Sequence, residues 1–91
     1  MTQKEIEFIV DKRNNAYVEM MCLNERINID HAPVEYLKDI ESGIMTACVD
    51  ILAMAGVDLD KCGLIDVSEA IVRGHKRYET EKKIQLWRNQ K

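Results

Sequence analysis

The shortage of chain-breaking residues is the feature that most restricts how this sequence can fold. Only four glycines and one proline occur among its 91 residues. No stretch alternates apolar and polar residues with the period of two that strands show, whereas apolar residues recur at helical spacing. The sequence therefore predicts an all-α protein, and its length fits a single domain over residues 1–91.

Two breaks divide the chain. Pro33 closes the run 28–33, and proline suits the first turn of a new helix. Gly56 follows a long apolar run, as glycine does where a helix ends. We therefore predict helices over about residues 3–27, 33–55 and 66–88, with Asp66 or Ser68 capping the last. Because polar residues 13–15 interrupt the first apolar stripe, we expect a kinked N-terminal helix followed by a helical hairpin.

The second predicted helix is apolar around almost its whole circumference. Between Gly43 and Gly56 the only charged residue is Asp50. This run is too short to cross a bilayer, which takes roughly 20 residues. Such a helix is either central in the fold or packs on a sister subunit as well. A chain this short also has a small core, so we expect a homo-oligomer.

Charge is sorted along the chain. Residues 1–72 carry six Lys/Arg against fourteen Asp/Glu, whereas residues 73–91 carry seven against two. A basic end of this kind predicts an anionic partner or an interaction with the protein's own acidic half. The overall charge of −3 opposes binding to a nucleic acid polymer, and this favours a small ligand or a protein partner.

The three cysteines are widely spaced and form no metal-binding motif with the two histidines. This pattern is typical of reduced thiols, and no secretory signal opens the sequence, so we expect a cytoplasmic protein without a bound metal. No nucleophile stands near a base at a spacing that one helix would bring together. We therefore expect no catalysis.

The segment 58–69 resembles the twelve-residue calcium loop of EF-hand proteins. Its calcium ligands by that resemblance are Asp58, Asp60, Asp66 and Glu69, with Gly63 at the bend. Cys62 places sulfur where a hard cation needs oxygen. The alternative is structural, with the aspartates capping a helix start and Glu69 on its first turn.

The residues 50–53 followed by 56–60 look like a helix junction of MazG-type nucleotide pyrophosphohydrolases. Those enzymes hold Mg²⁺ with an ExxE pair and an ExxD pair. This sequence has no ExxE, and Ala47 stands three residues before Asp50 where the glutamate belongs. We therefore expect no such hydrolysis.

The run 39–45, Asp-Ile-Glu-Ser-Gly-Ile-Met, is similar to a D-L-Q-x-G-[FL]-M run in phage proteins of the anti-CBASS cyclic-nucleotide sponge type. The resemblance implies a compact helical protomer that assembles into a homo-oligomer and traps cyclic oligonucleotide signals between subunits. In the host cytoplasm, this would counteract defence signalling. The matched run is a packing motif, so the resemblance assigns no ligand-binding residue.

A nucleotide needs cationic groups near aromatic faces. Two such groups occur in the sequence, and the predicted ligand-binding residues are Arg13, Tyr17 and Arg26 on the first helix with Arg73, Lys76, Arg77 and Tyr78 on the third. The alternative is that Tyr17 belongs to an apolar stripe and the basic residues near the end of the final helix form a solvated face. In a further alternative, the protein is a small regulator whose basic helix docks on an acidic protein partner.

Overall fold

The computed structural model describes residues 1–90 and contains three helices. Helix α1 spans Gln3–Asp30, α2 spans Glu35–Met54 and α3 spans Val67–Asn89. Residues 1–90 contain no strand, so the predicted all-α fold is confirmed. No helix within these residues is long and apolar enough to span a membrane.

Helix α1 begins and ends with hydrogen-bonded caps. At its start, Thr2 Oγ1 accepts from the Glu5 N–H at 3.2 Å, and Glu5 Oε1 accepts from the Thr2 N–H at 2.9 Å, which is a capping box. At its end, His31 adopts the left-handed conformation with φ 55° and donates its N–H to the Arg26 carbonyl. The helix thus runs three residues beyond the predicted end at residue 27.

Helix α2 begins two residues after the predicted start at about Pro33. The left-handed turn at His31 leaves residues 32 and 33 to reverse the chain, and the Val34 N–H bonds to the Ala32 carbonyl at 2.9 Å. The helix therefore begins at Glu35, with Val34 at its N-cap position and no side-chain cap.

The end of α2 and the start of α3 lie where the local sequence predicts them. Gly56 has φ +76°, as a glycine that ends a helix should. Asp66 caps α3 by accepting a hydrogen bond from the Glu69 N–H at 2.9 Å. Of the two caps predicted for this helix, Asp66 is the one that forms.

Helix α1 is the centre of the packing. Both α2 and α3 pack against α1, but within residues 1–90 they do not pack against each other. The predicted hairpin of the second and third helices is therefore wrong. The four-residue loop 31–34 returns α2 along α1, and the longer connection 55–66 carries the chain to another face of α1. Helix α2 is therefore not the central helix. The other explanation for its apolar circumference, packing on a sister subunit, is untested.

The residues 13–15, where we expected a kink, lie inside uninterrupted α1. Their polar side chains hold the connection that leads into α3. Asn14 Nδ2 donates to the Gly63 carbonyl at 3.0 Å, and its Oδ1 accepts from the Ile65 N–H at 3.1 Å. Arg13 Nη1 also donates to the Ile65 carbonyl, at 2.7 Å.

Helix α3 runs parallel to α1 and extends past its end. Ala70, Gly74 and Tyr78 are buried on the face toward α1, and Lys82 reaches Asp30, the last residue of α1. Residues 83–89 of α3 consequently continue beyond α1, and the molecule measures 50 Å along its longest axis and 22 Å along the others. This overhang forms one wall of a groove beside the 31–34 loop.

Candidate ligand groove

The overhanging end of α3 and the 31–34 loop enclose an open groove of about 560 Å³. We call it the terminal groove. Its volume lies in the range of small-molecule sites, roughly 300–1,000 Å³. It is lined by Arg26, Asp30, Ala32, Val34, Tyr78, Glu81, Lys82, Ile84, Gln85 and Arg88.

Two of the three cationic residues in the terminal groove are paired with acids. Arg26 forms a very close ion pair with Glu81. Lys82 Nζ lies 2.8 Å from Asp30 Oδ1, and this contact raises the pKa of Lys82 while it lowers the pKa of Asp30. Lys82 of the basic end is thus neutralised by an acid of residues 1–72, whereas Arg26 is neutralised by Glu81 of the basic end itself.

Arg88 differs from the other two cations. It lies in the last turns of α3, is exposed, and forms no ion pair with any residue of 1–90. Ile84, one turn earlier, lines the same groove and is 45% exposed. With three cations against two acids, the groove carries one excess positive charge beside an apolar side chain. It can therefore receive a small ligand that has both an anionic and an apolar part.

Tyr78 lines the terminal groove but does not offer its ring for stacking. Its side chain is 7% exposed, and Lys82 Nζ lies 5.5 Å from the ring centroid. The hydroxyl donates a hydrogen bond to Asp30 Oδ1 at 2.9 Å, and burial together with this carboxylate raises the pKa of Tyr78. Tyr78 is therefore part of the contact between α1 and α3, and its predicted part in ligand binding stays a prediction.

Arg13 and Tyr17, the other two predicted residues of α1, lie outside the terminal groove that Arg26 lines. The Arg13 guanidinium lies over the Tyr17 ring at 4.8 Å from its centroid while it bonds to the Ile65 carbonyl. Arg13 Nε is buried without a partner among the described residues. Tyr17 packs against the core cluster of Val18, Ile65 and Ala70. The structure therefore gives both residues a role in fixing the loop before α3.

The remaining predicted residues of α3 are dispersed. Arg73 pairs with Glu69 of its own helix at 2.6 Å, and Lys76 is exposed on the outer face. Arg77 pairs with Glu19 and lines a second groove of about 500 Å³ together with Lys12. Three acids, Asp11, Glu19 and Glu41, also line that groove. Its charge is negative, so it suits an anionic ligand less well than the terminal groove does.

The structure does not gather the four carboxylates of the calcium alternative. Asp66 caps α3, Glu69 pairs with Arg73, and Asp58 Oδ1 accepts from the Asp60 N–H at 3.0 Å. Calcium needs six or more converging oxygens. Within residues 1–90 the only group of three potential metal ligands lies elsewhere, at Glu19, Cys22 and Glu81.

The two carboxylates of that group belong to ion pairs rather than to a metal site. Glu19 is paired with Arg77, and Glu81 with Arg26. Burial, followed by the two glutamates, raises the pKa of Cys22 to about 11, so the thiol remains protonated near neutral pH. A metal would need the thiolate, and the arrangement does not favour it.

Sequence reasoning found Arg26 and Tyr78 in the terminal groove but missed its other polar residues. A signal was present, since Tyr78, Lys82, Gln85 and Arg88 recur at steps of three or four on the face of α3 that begins with Ala70 and Gly74. The end of α1 determines at which residue this face of α3 stops packing on α1 and begins to line the groove. That end was predicted three residues too early.

Comparison with known proteins finds no matching family model, no similar curated protein and no similar solved structure. The resemblances to cyclic-nucleotide sponges and to EF-hands therefore remain hypotheses.

Proposed function

We propose that this protein binds a small phosphate-bearing ligand in the terminal groove and sequesters it without chemical conversion. The observation that carries the proposal is Arg88, a cation with no acidic partner in residues 1–90, beside Lys82 and Arg26 in a groove of ligand size. A guanidinium binds phosphate through paired hydrogen bonds. A cyclic oligonucleotide, the ligand class that the sequence suggested, carries such phosphates.

The groove lies within one protomer, whereas the sequence suggested a site between subunits. A bound base would contact the exposed side of Ile84 and the planar guanidinium of Arg88, because guanidinium planes stack on bases. Lys82 and Arg26 would have to share their charge between the ligand and their present acids. We therefore expect moderate affinity and one ligand for each chain.

The test is titration calorimetry with cyclic dinucleotides, cyclic trinucleotides and inorganic phosphate. Arg88→Ala should weaken binding of the best nucleotide roughly 10- to 100-fold, the cost of one hydrogen bond to a charged group. Lys83→Ala is the matched control, since Lys83 is an exposed cation of α3 that does not line the groove. It should change affinity less than about twofold.

Two results would count against the proposal. One is a wild-type protein that binds none of these compounds at millimolar concentration. The other is equal weakening by the two variants, which would mean that only general charge attraction is at work. Calcium belongs in the same panel, and heat from Ca²⁺ alone would support the EF-hand alternative.

A second candidate function has its own observation. Lys76 and Lys83 are exposed on the outer face of α3, with no ion pair to residues 1–90, and Val72 lies on the same face, 55% exposed. Such a face fits an acidic helical partner. Binding of a Glu-rich helical peptide that is lost in Lys76→Glu/Lys83→Glu but kept in Arg88→Ala would favour this function over the groove.

A further inference from the structure

Helix α2 carries an uncharged stripe on the side that faces away from α1. The stripe consists of Tyr36, Ile40, Gly43, Ala47, Ile51 and Met54, all exposed. Its five steps cover eighteen residues, a mean spacing of 3.6, so the stripe follows one face of a straight helix. The large members remain 62%, 54%, 46% and 88% exposed in order along the helix.

We propose that this stripe is the contact of a symmetric homodimer in which two copies of α2 pack antiparallel. The order of its residues is the first argument. About a midpoint near residue 45, Tyr36 mirrors Met54, Ile40 mirrors Ile51, and Gly43 mirrors Ala47. A two-fold contact requires this self-complementarity, because residue i of one copy meets residue j of the other and the reverse.

Gly43 supplies the second argument. A glycine inside a helix costs stability relative to alanine, and a Cβ built on Gly43 would meet nothing within 4 Å in the protomer. Its own chain therefore gives no reason for a glycine at this position. At the centre of an antiparallel pair, Gly43 and Ala47 would let the two helix backbones approach closely while the large residues pack at both ends.

The area is the third argument. The four large side chains expose on the order of 500 Å² per copy, at about 200 Å² for a large residue in full. Two copies together thus reach about 1,000 Å², the lower bound for a specific interface. Monomers rarely expose a contiguous apolar patch of more than a few hundred Å². A second copy would cover this stripe, which itself contains no charged residue.

The dimer does not depend on the proposed ligand, because the stripe and the terminal groove share no residue. Sedimentation equilibrium tests it, since the chain has a mass of 10.5 kDa and the dimer twice that. Ala47→Glu should weaken dimerisation at least tenfold by placing two carboxylates near the two-fold axis. Ala53→Glu is the matched control, being an exposed alanine of α2 outside the stripe.

Cross-linking tests the antiparallel direction. In a Cys62→Ser background, a mixture of Tyr36→Cys and Met54→Cys proteins should form the mixed disulfide far faster than either protein alone forms its own. Faster self-linking of each variant would show parallel packing and overturn the proposal. A wild-type protein that stays monomeric at high micromolar concentration would overturn it as well, as would an Ala47→Glu protein, helical by circular dichroism, that dimerises like Ala53→Glu.

Discussion

Arg77 of α3 donates a hydrogen bond to Glu19 of α1 across 2.9 Å between Nη1 and Oε2. The contact joins the basic end of the sequence to its acidic part, and two more pairs do the same: Lys82 with Asp30, and His75 with Glu25. In the pair Arg26–Glu81 the direction is reversed, because the cation lies in residues 1–72 and the acid in residues 73–91. Of the two partners that the charge pattern predicted, the protein's own acidic half is the one that the structure contains. Arg88, Lys76 and Lys83 are the α3 cations that this pairing leaves over within residues 1–90.

The pair between Arg77 and Glu19 should contribute measurably to stability. Its side chains are 36% and 29% exposed, against 53% and 47% for the pair Arg73–Glu69 within α3. Double-mutant cycles to alanine by urea unfolding should give a coupling of about 0.5–1 kcal/mol for the first pair and at most about 0.5 kcal/mol for the second. Equal coupling in the two cycles would mean that the partly buried position adds nothing.

Gly74 is required where α3 crosses α1. A Cβ at this position would lie 2.4 Å from Met21 Cβ and 3.0 Å from the Cys22 backbone nitrogen. Gly74→Ala should therefore lower the free energy of unfolding by about 1–3 kcal/mol, as overpacking does, despite the better helix propensity of alanine. Thermal melting should show it as a fall of about 4–8 °C per kcal/mol.

The control for this substitution is Thr80→Ala, at an exposed position of the same helix. It should leave the melting temperature unchanged or slightly raised, because alanine favours helix. A Gly74→Ala protein that melts at the same temperature as the control would mean that α1 and α3 can move apart far enough to admit the methyl group without loss of stability.

Asn14 should contribute more to the free energy of unfolding than its partly exposed position suggests. It bonds to the Gly63 carbonyl and to the Ile65 N–H, so it pairs two backbone groups of the connection before α3. Because Asn14→Ala removes both hydrogen bonds and leaves the partly buried Ile65 N–H without this partner, we expect a loss of about 1–3 kcal/mol in urea unfolding. Asn15→Ala, at an exposed neighbouring position, should cost less than about 0.5 kcal/mol. Equal costs would contradict this role.

The sequence was sufficient for features set by a few neighbouring residues. Gly56 and Asp66 end and begin helices as predicted, because a left-handed turn and an N-cap depend on local backbone chemistry. The pairing of helices was not predictable in this way. Helix α2 has the most apolar sequence, which made it a candidate for the central helix of the fold. Helix α1 is central instead, because both α2 and α3 pack against it.

The same difference between local signals and helix packing explains which residues of the site could be predicted from the sequence. Tyr78 was predicted to bind a ligand because it stands among cations, but only the packing of α3 on α1 shows that its ring is buried. Arg88 entered the sequence analysis only as one of the seven basic residues of 73–91. Its position in the terminal groove depends on how far α3 extends past Asp30, which is a property of two helices together.

Cysteine reactivity should separate the three thiols. Cys22 is fully buried, and with a pKa of about 11 only about one thousandth of it is thiolate at pH 8. Cys48 is also buried, whereas Cys62 is half-buried. Iodoacetamide labelling of the native protein, read by peptide mass spectrometry, should modify Cys62 first and Cys22 last. In urea all three should react alike, and fast native labelling of Cys22 would contradict its burial.

His75 should make stability depend on pH near neutrality. Its Nδ1 lies 3.1 Å from Glu25 and its Nε2 2.9 Å from Glu79, so the doubly protonated ring has an acceptor for each N–H. The hydrogen bond to Glu25 first, and the charge of Glu79 next, raise the pKa of His75 above the ordinary value of 6.5. A raised folded-state pKa means that the stabilisation is fully present below pH 6.5 and is lost as the pH rises through the raised value.

The comparison of wild type with His75→Gln isolates this effect. The wild-type protein should melt at a higher temperature than the variant at pH 6, and the difference should shrink as the pH rises toward 9, because the neutral ring can donate to only one of the two carboxylates. A Glu25→Gln protein should titrate His75 at lower pH by NMR, since the larger of the two causes is then removed. A difference that grows with pH would show that the neutral ring, not the imidazolium, is the form that the fold stabilises.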